Sequence, residues 1–83
     1  MQARRWVYVL KSVVESSRYY VGSTSDVQGR LEEHNSGICR HTNKHRPWAI
    51  HVVIEFPDER RAVAFEEYLK SGSGRAFAKR HFE

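Results

Sequence analysis

The sequence predicts a small α/β domain of the α+β kind, in which a three-stranded antiparallel sheet is flanked by helices. Three observations predict it: two β-branched and aromatic segments near the start, a third such segment in the middle, and two amphipathic segments with helical periodicity. The expected order is β-β-α-β-α with a short last helix. At 83 residues the chain has room for one domain, which we expect to span residues 1–83.

The first two strands are predicted near the start of the chain. Residues 6–10 and 19–21 are rich in β-branched and aromatic side chains, and a serine-containing loop between them favours an antiparallel pair. Because side chains alternate along a strand, Tyr8 shares a face with Leu10. Gly22 is expected to end the second strand.

The first helix is predicted over residues 26–36. Ser25 and Gln28 fit a capping box, and Gly37 fits a helix stop. The polar and basic segment 38–47 is expected to form a loop.

The second half of the chain predicts the remaining strand and helices. Residues 48–56 are rich in Val and Ile and indicate the third strand. Asp58 is a suitable N-cap for a second helix that runs to about Lys70. The Ser- and Gly-rich segment 71–74 breaks this helix, and residues 75–82 are expected to form the last one.

Two basic residues fall on the apolar side of the first helix. At about 100° per residue, Arg30 and His34 share a side with Val27 and Leu31. Burying an ion without a partner is costly, so aliphatic residues would be the structural choice there. One such residue alone would be a snorkelling or edge residue. Two of them, one turn apart, favour a functional interpretation.

A carboxylate lies at the margin of the apolar stripe of the second helix. The stripe contains Ala62, Phe65 and Leu69, which places Glu66 at its edge and Glu67 in solvent. A single Glu in such a position is usually a surface residue, although Glu66 is the better candidate to face a cleft.

Composition limits the class of protein. The chain has 14 Lys and Arg against 10 Asp and Glu, and its formal charge of +4 favours nucleic acid as a partner without requiring it. No apolar run approaches the roughly 20 residues of a membrane span, and the first residues lack the pattern of a secretory signal. Cys39 is the single cysteine, so no intrachain disulfide forms. We therefore expect a cytoplasmic location.

Short, degenerate motifs occur in an ordered set from residue 6 to about residue 82. The first triad is Trp-Val-Tyr and the second is Tyr-Val-Gly, followed by the helix arginine, the histidine one turn later and the segment Glu-Glu-Tyr-Leu-Lys. This set resembles the GIY-YIG nuclease family. In particular it resembles the small stand-alone bacterial type, which is similar to the N-terminal nuclease domain found in excinuclease ABC.

The resemblance implies catalytic roles for residues of the sheet and the first helix. Tyr8 and Tyr20 match the tyrosines of the two triads, and Arg30 matches an arginine suited to forking onto a phosphate oxygen. His34 matches a position that is His or Tyr in the family. A tyrosine hydroxyl titrates near 10 and is a poor base unaided. Which of the tyrosines and the histidine activates water is left open.

The resemblance also implies a metal and a structural glycine. Glu66 matches the single carboxylate that holds a divalent cation, Mg²⁺ or Mn²⁺, and implies a one-metal mechanism. Gly22 matches the glycine that closes the second triad and permits close packing near the site.

Basic residues outside this set are expected to contact a nucleic-acid backbone. Trp48 could stack on a base, but anchoring the next strand is the preferred interpretation. His41 and His45 are not expected to form a zinc site, because they lie in a loop with one cysteine. The predicted nucleic-acid contacts are Arg40, Lys44, Arg46, Lys70, Arg75 and Lys79.

The sequence therefore predicts a metal-dependent endonuclease that hydrolyses DNA phosphodiester bonds with structure-guided or weakly sequence-specific choice of site. The resemblance implies a role in DNA repair or recombination, and RNA stays open as a substrate. The alternative is a nucleic-acid-binding module of the same fold with little or no turnover. The lack of any Asn after Asn43, where larger family members often have one, favours that alternative. We expect a monomer without membrane association.

Overall fold

A computed structural model describes residues 4–83, and its elements follow the predicted order with one addition. The addition is a single 3-10 turn, Asn43–His45, in the segment expected to be a loop. Residues 1–3, which belong to the segment judged to lack a secretory signal, lie outside the described residues. The elements are β1 (Arg5–Ser12), β2 (Tyr19–Thr24), α1 (Val27–Ser36), β3 (Trp48–Phe56), α2 (Glu59–Lys70) and α3 (Gly72–His81).

The three strands form one antiparallel sheet with the order β2-β1-β3, so β1 is the central strand. Tyr8 lies opposite Gly22 of β2 and Val53 of β3. The register between β1 and β3 shifts between Val9 and Leu10, where β3 has one extra residue. The predicted fold class is confirmed.

One face of the sheet is covered by α2 and α3, and we call it the α2 face. Val7 and Val9 of β1 pack there with Ala62 and Leu69 of α2. Partly buried aromatic side chains, including Phe77 of α3, extend this core. The α2 face is therefore the aliphatic and aromatic core of the fold.

The opposite face is covered by α1, and we call it the α1 face. Tyr8 and Leu10 of β1 pack there with Trp48, the first residue of β3. Val27 and Leu31 of α1 pack against this cluster. Alternate residues of β1 thus belong to two different cores, as the period of two requires.

The start of α1 lies one residue later than the capping box suggested. Asp26, and not Ser25, is the N-cap, because its carboxylate accepts a hydrogen bond from the backbone N–H of Gly29 at 3.0 Å. The Thr24 hydroxyl accepts the N–H of Asp26 at 3.0 Å and holds the chain at this point. The helix ends as predicted at Gly37, whose φ of 88° lies in the left-handed region.

Two further boundaries differ from the prediction. β2 continues through Gly22 to Thr24, because Gly22 pairs with Tyr8 inside the ladder and does not terminate it. The last helix begins at Gly72, earlier than expected, because the side chain of Ser71 accepts the N–H of Gly74 and caps it. A serine in the segment expected to break the chain is therefore the start signal of α3.

The remaining predictions about the elements are confirmed. The third strand spans Trp48–Phe56 as expected. Asp58 is the N-cap of α2, and its carboxylate accepts the backbone N–H of Arg61 at 2.8 Å. Within residues 4–83, no helix combines the length and the apolar character needed to cross a membrane.

Candidate active site

A hydrogen bond between two buried side chains lies at the centre of the α1 face. Tyr8 Oη and His34 Nε2 are 3.0 Å apart, and the two side chains are 1% and 0% exposed. Tyr8 extends from the central strand, whereas His34 extends from the last turn of α1. The helix position that sequence periodicity placed on the apolar side is thus fully buried, and its ring is paired.

Tyr20 joins this pair from the neighbouring strand. Its ring centroid lies 4.7 Å from that of His34 and 6.2 Å from that of Tyr8. Unlike those two residues, Tyr20 is only partly buried. It lines a groove of about 390 Å³ at the open edge of β2, together with Lys70 and Arg75. Tyr20 is therefore the member of the aromatic cluster that is accessible from this groove.

Gly22 provides the space that Tyr8 occupies. The two residues are direct partners in the β1–β2 ladder. A Cβ atom on Gly22 would lie 2.6 Å from Cζ of Tyr8, which is closer than real Cβ contacts. The tyrosine ring therefore lies across the bare backbone of β2, and a side chain at residue 22 would displace it.

Arg30 provides the positive charge beside the cluster. Its side chain is 35% exposed and donates from Nη1 to Glu33 Oε1 at 2.6 Å. The hydrogen bond to Glu33, and then the one to the Tyr8 hydroxyl, raise the pKa of Arg30 above its already high value. The guanidinium is thus permanently charged, with one side toward the buried hydroxyl and part of its surface in solvent.

Burial sets the protonation states of the central pair. It raises the pKa of Tyr8 above 10.0, although the hydrogen bond and the charge of Arg30 oppose the shift. Burial, followed by the charge of Arg30, lowers the pKa of His34 below 6.5. At neutral pH His34 is therefore uncharged, and Tyr8 keeps its proton. An uncharged imidazole beside a phenol hydroxyl can accept its proton.

Thr42 belongs to this cluster, and the sequence analysis missed it. Its Oγ1 lies 2.8 Å from Nδ1 of His34, and the residue is 1% exposed. Trp48 donates from Nε1 to the Thr42 carbonyl at 2.8 Å. An uncharged residue in a loop has neither periodicity nor charge to mark it, so the sequence offers no signal for this contact.

Trp48 anchors β3, as the preferred interpretation stated. It is 4% exposed, and its backbone N–H and carbonyl both bond to the Asn35 side chain, at 2.6 and 3.0 Å. Asn35 thereby ties the end of α1 to the start of β3. Stacking of Trp48 on a base is excluded by this burial.

Glu66 lies apart from the tyrosine–histidine cluster. It belongs to α2, which covers the α2 face, and its Oε2 accepts from Lys70 Nζ at 2.7 Å. In the part of the chain that the structure describes, no hydrogen bond or ion pair joins Glu66 to Tyr8, Arg30 or His34. The expected convergence of Glu66 with the α1 residues is not a direct contact. The groove at the β2 edge, lined by both Tyr20 and Lys70, lies between them.

The donor set around Glu66 fits a hard cation that keeps most of its water. Among residues 4–83, no three His, Cys, Asp or Glu side chains lie close enough to hold a metal ion by themselves. His41 and His45 accordingly form no such group. A single carboxylate suits Mg²⁺ or Mn²⁺, which bind one or two protein carboxylates and complete their shell with water and substrate phosphate.

The candidate nucleic-acid contacts lie on two parts of the surface. Arg40, Lys44 and Arg46 are exposed in the loop after α1, and Lys70, Arg75 and Lys79 are exposed on α2 and α3. Arg46 has a structural role as well. It donates to the Asn43 carbonyl at 2.9 Å and to the Asn35 carbonyl at 3.4 Å, which holds the loop against the end of α1.

The fold and this cluster define a catalytic domain of the nuclease class, built around one edge of a small antiparallel sheet. The chain belongs to the GIY-YIG catalytic domain family, whose model matches residues 4–80. The family predicted from the ordered motifs is thus confirmed.

Several relatives share this similarity. The structure-specific endonuclease subunit SLX1 of Candida dubliniensis is 39% identical over 71 residues, covering 77% of this chain and 25% of that protein. The Cryptococcus neoformans protein of the same name is 37% identical over 60 residues, covering 68% of this chain and 12% of that protein. The chain thus spans a quarter or less of the length of these curated relatives.

A solved structure has the same fold. The solution NMR structure of the UPF0213 protein BH0048 from Bacillus halodurans aligns with a TM-score of 0.55 at 27% identity. The alignment covers 92% of this chain and 80% of that one. The similarity therefore extends over nearly the whole domain and is not limited to the sheet.

Proposed function

We propose that this chain is a metal-dependent endonuclease that hydrolyses phosphodiester bonds in DNA at sites selected by DNA structure. One observation carries the proposal: in a GIY-YIG catalytic domain, the buried Tyr8–His34 hydrogen bond lies beside the permanently charged Arg30 and the accessible Tyr20. The name of the curated relatives, which describes structure-specific endonucleases, supports the choice of DNA structure as the determinant. DNA repair or recombination is the proposed setting.

Arg30 would bind the scissile phosphate. Its guanidinium is always charged, and its planar fork matches two oxygens of a phosphate. Its partial exposure lets it meet a substrate while Glu33 holds the side chain in place. In a partly desolvated site, such a charge stabilises the extra negative charge of the transition state, which is typically the largest catalytic contribution.

Tyr20 would contact the attacking water, because it is the tyrosine accessible from the groove. Tyr8 and His34 are buried behind it and cannot meet solvent directly. Proton transfer from water to Tyr20, from Tyr20 to Tyr8 and from Tyr8 to the uncharged His34 would move the proton away from the attacking oxygen. In this scheme the two buried residues are the proton acceptors behind an accessible hydroxyl.

Glu66 would hold the divalent cation through its carboxylate, and Lys70 would have to release or share the oxygen that it now pairs with. When bound, the cation supplies charge neutralisation at the phosphate and at the leaving oxygen. A released Lys70 amino group would remain in the groove that Tyr20 lines, where it can contact a neighbouring phosphate. Arg75 lines the same groove and would add a second backbone contact.

The test is cleavage of supercoiled plasmid and of branched DNA, with Mg²⁺ or Mn²⁺ and with EDTA. We expect nicking that EDTA abolishes and that Glu66→Ala and Arg30→Ala lose by at least about 100-fold. Glu67→Ala, on the exposed side of the same helix, is the control for the first variant, and Arg18→Ala, in the exposed β1–β2 loop, is the control for the second.

Three results would contradict the proposal in different ways. Cleavage that survives Glu66→Ala at the full rate would remove the metal role of this residue. Equal losses in Glu66→Ala and Glu67→Ala would indicate a general effect of charge on the helix. Salt-sensitive DNA binding with no cutting under any condition would instead favour a binding module of the same fold.

A further inference from the structure

Both ring nitrogens of His34 have hydrogen-bond partners, and the second partner comes from outside the helix and the sheet. Nε2 lies 3.0 Å from Tyr8 Oη, and Nδ1 lies 2.8 Å from Thr42 Oγ1. Thr42 is itself 1% exposed, so water does not compete for this contact. Which nitrogen carries the proton of the uncharged ring therefore depends on which way these hydroxyls point.

The surroundings of Thr42 favour one direction. Its hydroxyl also lies 3.4 Å from the carbonyl oxygen of Cys39, which can only accept. A Thr42 hydroxyl that points to Cys39 leaves its oxygen free to accept a proton from Nδ1 of His34. On the other side of the ring, Tyr8 is already hydrogen-bonded by Arg30, a pure donor, so its own proton is available for Nε2.

The position of Thr42 is fixed through its backbone. Trp48 donates from Nε1 to the Thr42 carbonyl at 2.8 Å, and Trp48 is held at both backbone groups by Asn35. The backbone N–H of Thr42 donates to the Cys39 carbonyl at 3.2 Å. The loop therefore presents the hydroxyl to His34 from a fixed point, and the side chain does not depend on α1 for its placement.

We infer that Thr42 is a positioning residue that holds His34 with its proton on Nδ1, so that Nε2 accepts the hydroxyl proton of Tyr8. The catalytic consequence rests on the proposed function, because only in the nuclease scheme does Nε2 receive a proton. The tautomer itself does not rest on it. The titratable and charged groups that face His34 from the elements around it are Tyr8, Tyr20, Arg30, Glu33 and Cys39.

The first experiment measures the tautomer directly, on the uniformly ¹⁵N-labelled full chain by long-range ¹H–¹⁵N NMR of the histidine rings. We expect the wild-type His34 ring to be protonated at Nδ1 and bare at Nε2 near neutral pH. Thr42→Val keeps the shape of the side chain but removes the hydroxyl, and it should yield a mixture or the opposite tautomer. Thr42→Ser restores the hydroxyl and should restore the wild-type pattern.

A wild-type ring protonated at Nε2 would overturn the inference whether or not the protein cleaves DNA, and no variant is needed for that result. A Thr42→Val protein that folds and keeps the wild-type tautomer would also overturn it. If the proposed function fails and no cleavage occurs, these spectra still decide the role of Thr42, so the two failures are distinguishable.

The second experiment measures cleavage. We expect Thr42→Val to lower kcat by about 10- to 100-fold, the range seen when an orienting partner of a functional histidine is removed. KM should change little, because Thr42 is buried and does not contact DNA. Thr42→Ser should recover most of the loss. Ser12→Ala is the matched control, since it removes a buried hydroxyl bond from Ser12 to the His45 carbonyl of the same loop.

The control separates positioning from loop stability. Ser12→Ala should keep the wild-type kcat and the wild-type pH profile. Equal kcat losses in Ser12→Ala and Thr42→Val would show that loop integrity alone matters and would overturn the positioning role. A pH profile of Thr42→Val identical to that of the wild type would overturn it as well, because a changed tautomer must change how His34 titrates.

Discussion

The two faces of β1 are built by neighbouring residues of one strand, yet they have opposite character. On the α2 face, Val7 and Val9 pack against aliphatic and aromatic side chains. On the α1 face, Tyr8 is buried with His34 and Thr42, which form a hydrogen-bonded chain. Because successive side chains of a strand point in opposite directions, a short segment can provide an apolar core and a polar site at once.

The comparison shows where stability and chemistry are separable in a domain this small. An apolar core tolerates small changes in shape at a modest energetic cost, whereas a buried polar chain requires every donor and acceptor to be paired. Substitutions on the α2 face should therefore lower the free energy of unfolding with little effect on cleavage by the folded fraction. Substitutions on the α1 face should lower cleavage more than stability.

The largest expected effect is that of Gly22→Ala, which acts on the α1 face through packing. The new Cβ would lie 2.6 Å from Cζ of Tyr8, so the tyrosine ring must move. Overpacking against a fully buried ring should cost about 3 kcal/mol of unfolding free energy and should also weaken the Tyr8–His34 hydrogen bond. Urea unfolding and DNA cleavage both check this. Wild-type stability together with wild-type cleavage would show that the ring is not confined by β2.

Val7→Ala tests the other face and should have a somewhat smaller effect. Val7 is 1% exposed and contacts no residue of the tyrosine–histidine cluster through a hydrogen bond in the described part of the chain. Losing two buried methyl groups and leaving a small cavity should cost about 2 kcal/mol. Urea unfolding measures this cost, and the cleavage rate per folded molecule should stay at the wild-type value. A rate loss of tenfold or more would break the separation of the two faces.

The pH dependence of stability should show the burial of His34. Its folded-state pKa lies below the ordinary value of 6.5, so the unfolded chain binds more protons between these two values. The stabilisation is complete above about pH 6.5 and is lost as the pH falls through the folded-state pKa. The slope in this window should be at most about 1.4 kcal/mol per pH unit.

Urea unfolding at neutral pH and at about pH 5 measures this loss, and the His34→Gln protein should lose less stability on acidification than the wild type. His41→Gln is the control, because His41 is exposed. It should keep the wild-type pH dependence. Equal pH dependence in the wild type and His34→Gln would contradict the depressed pKa of His34.

The smallest expected effect is that of Lys79→Ala, on the exposed surface of α3. Removing one phosphate contact should weaken DNA binding about equally for every sequence and lower the slope of log affinity against log salt by about one. Titrations at several salt concentrations measure it, and the variant should unfold like the wild type. An unchanged slope would remove Lys79 from the DNA-binding surface.

Local patterns were sufficient to predict most of the fold. The Val- and Ile-rich run of β3, the N-cap Asp58 and the stop at Gly37 are each encoded within a few residues, and each is observed. Two neighbouring residues can compete for one cap, as Ser25 and Asp26 do, and the outcome depends on the Thr24 hydroxyl that holds Asp26. Such competition is decided by geometry that spacing alone does not contain.

The site was predictable only in part, for a similar reason. Helical periodicity was sufficient to place His34 on the buried side of α1. Periodicity carries no information about a loop, so Thr42 was missed although it bonds to the same ring. Nor does the phase of α2 reveal that the carboxylate of Glu66 pairs with Lys70 on the other face of the sheet. Contacts between elements depend on tertiary packing, which one sequence does not specify position by position.

Two adjacent tyrosines provide the most direct test of the division between the two faces. Tyr20 lies against His34 on the α1 face, whereas Tyr19 packs on the α2 face, where its ring lies 5.6 Å from that of His51. Each Tyr→Phe change removes one hydroxyl and nothing else. The measurement is the rate of metal-dependent cleavage of branched DNA by Tyr20→Phe and Tyr19→Phe. We predict a loss of about 100-fold for Tyr20→Phe and the wild-type rate for Tyr19→Phe. Equal rates in the two variants, or a larger loss in Tyr19→Phe, would contradict the division of the two faces.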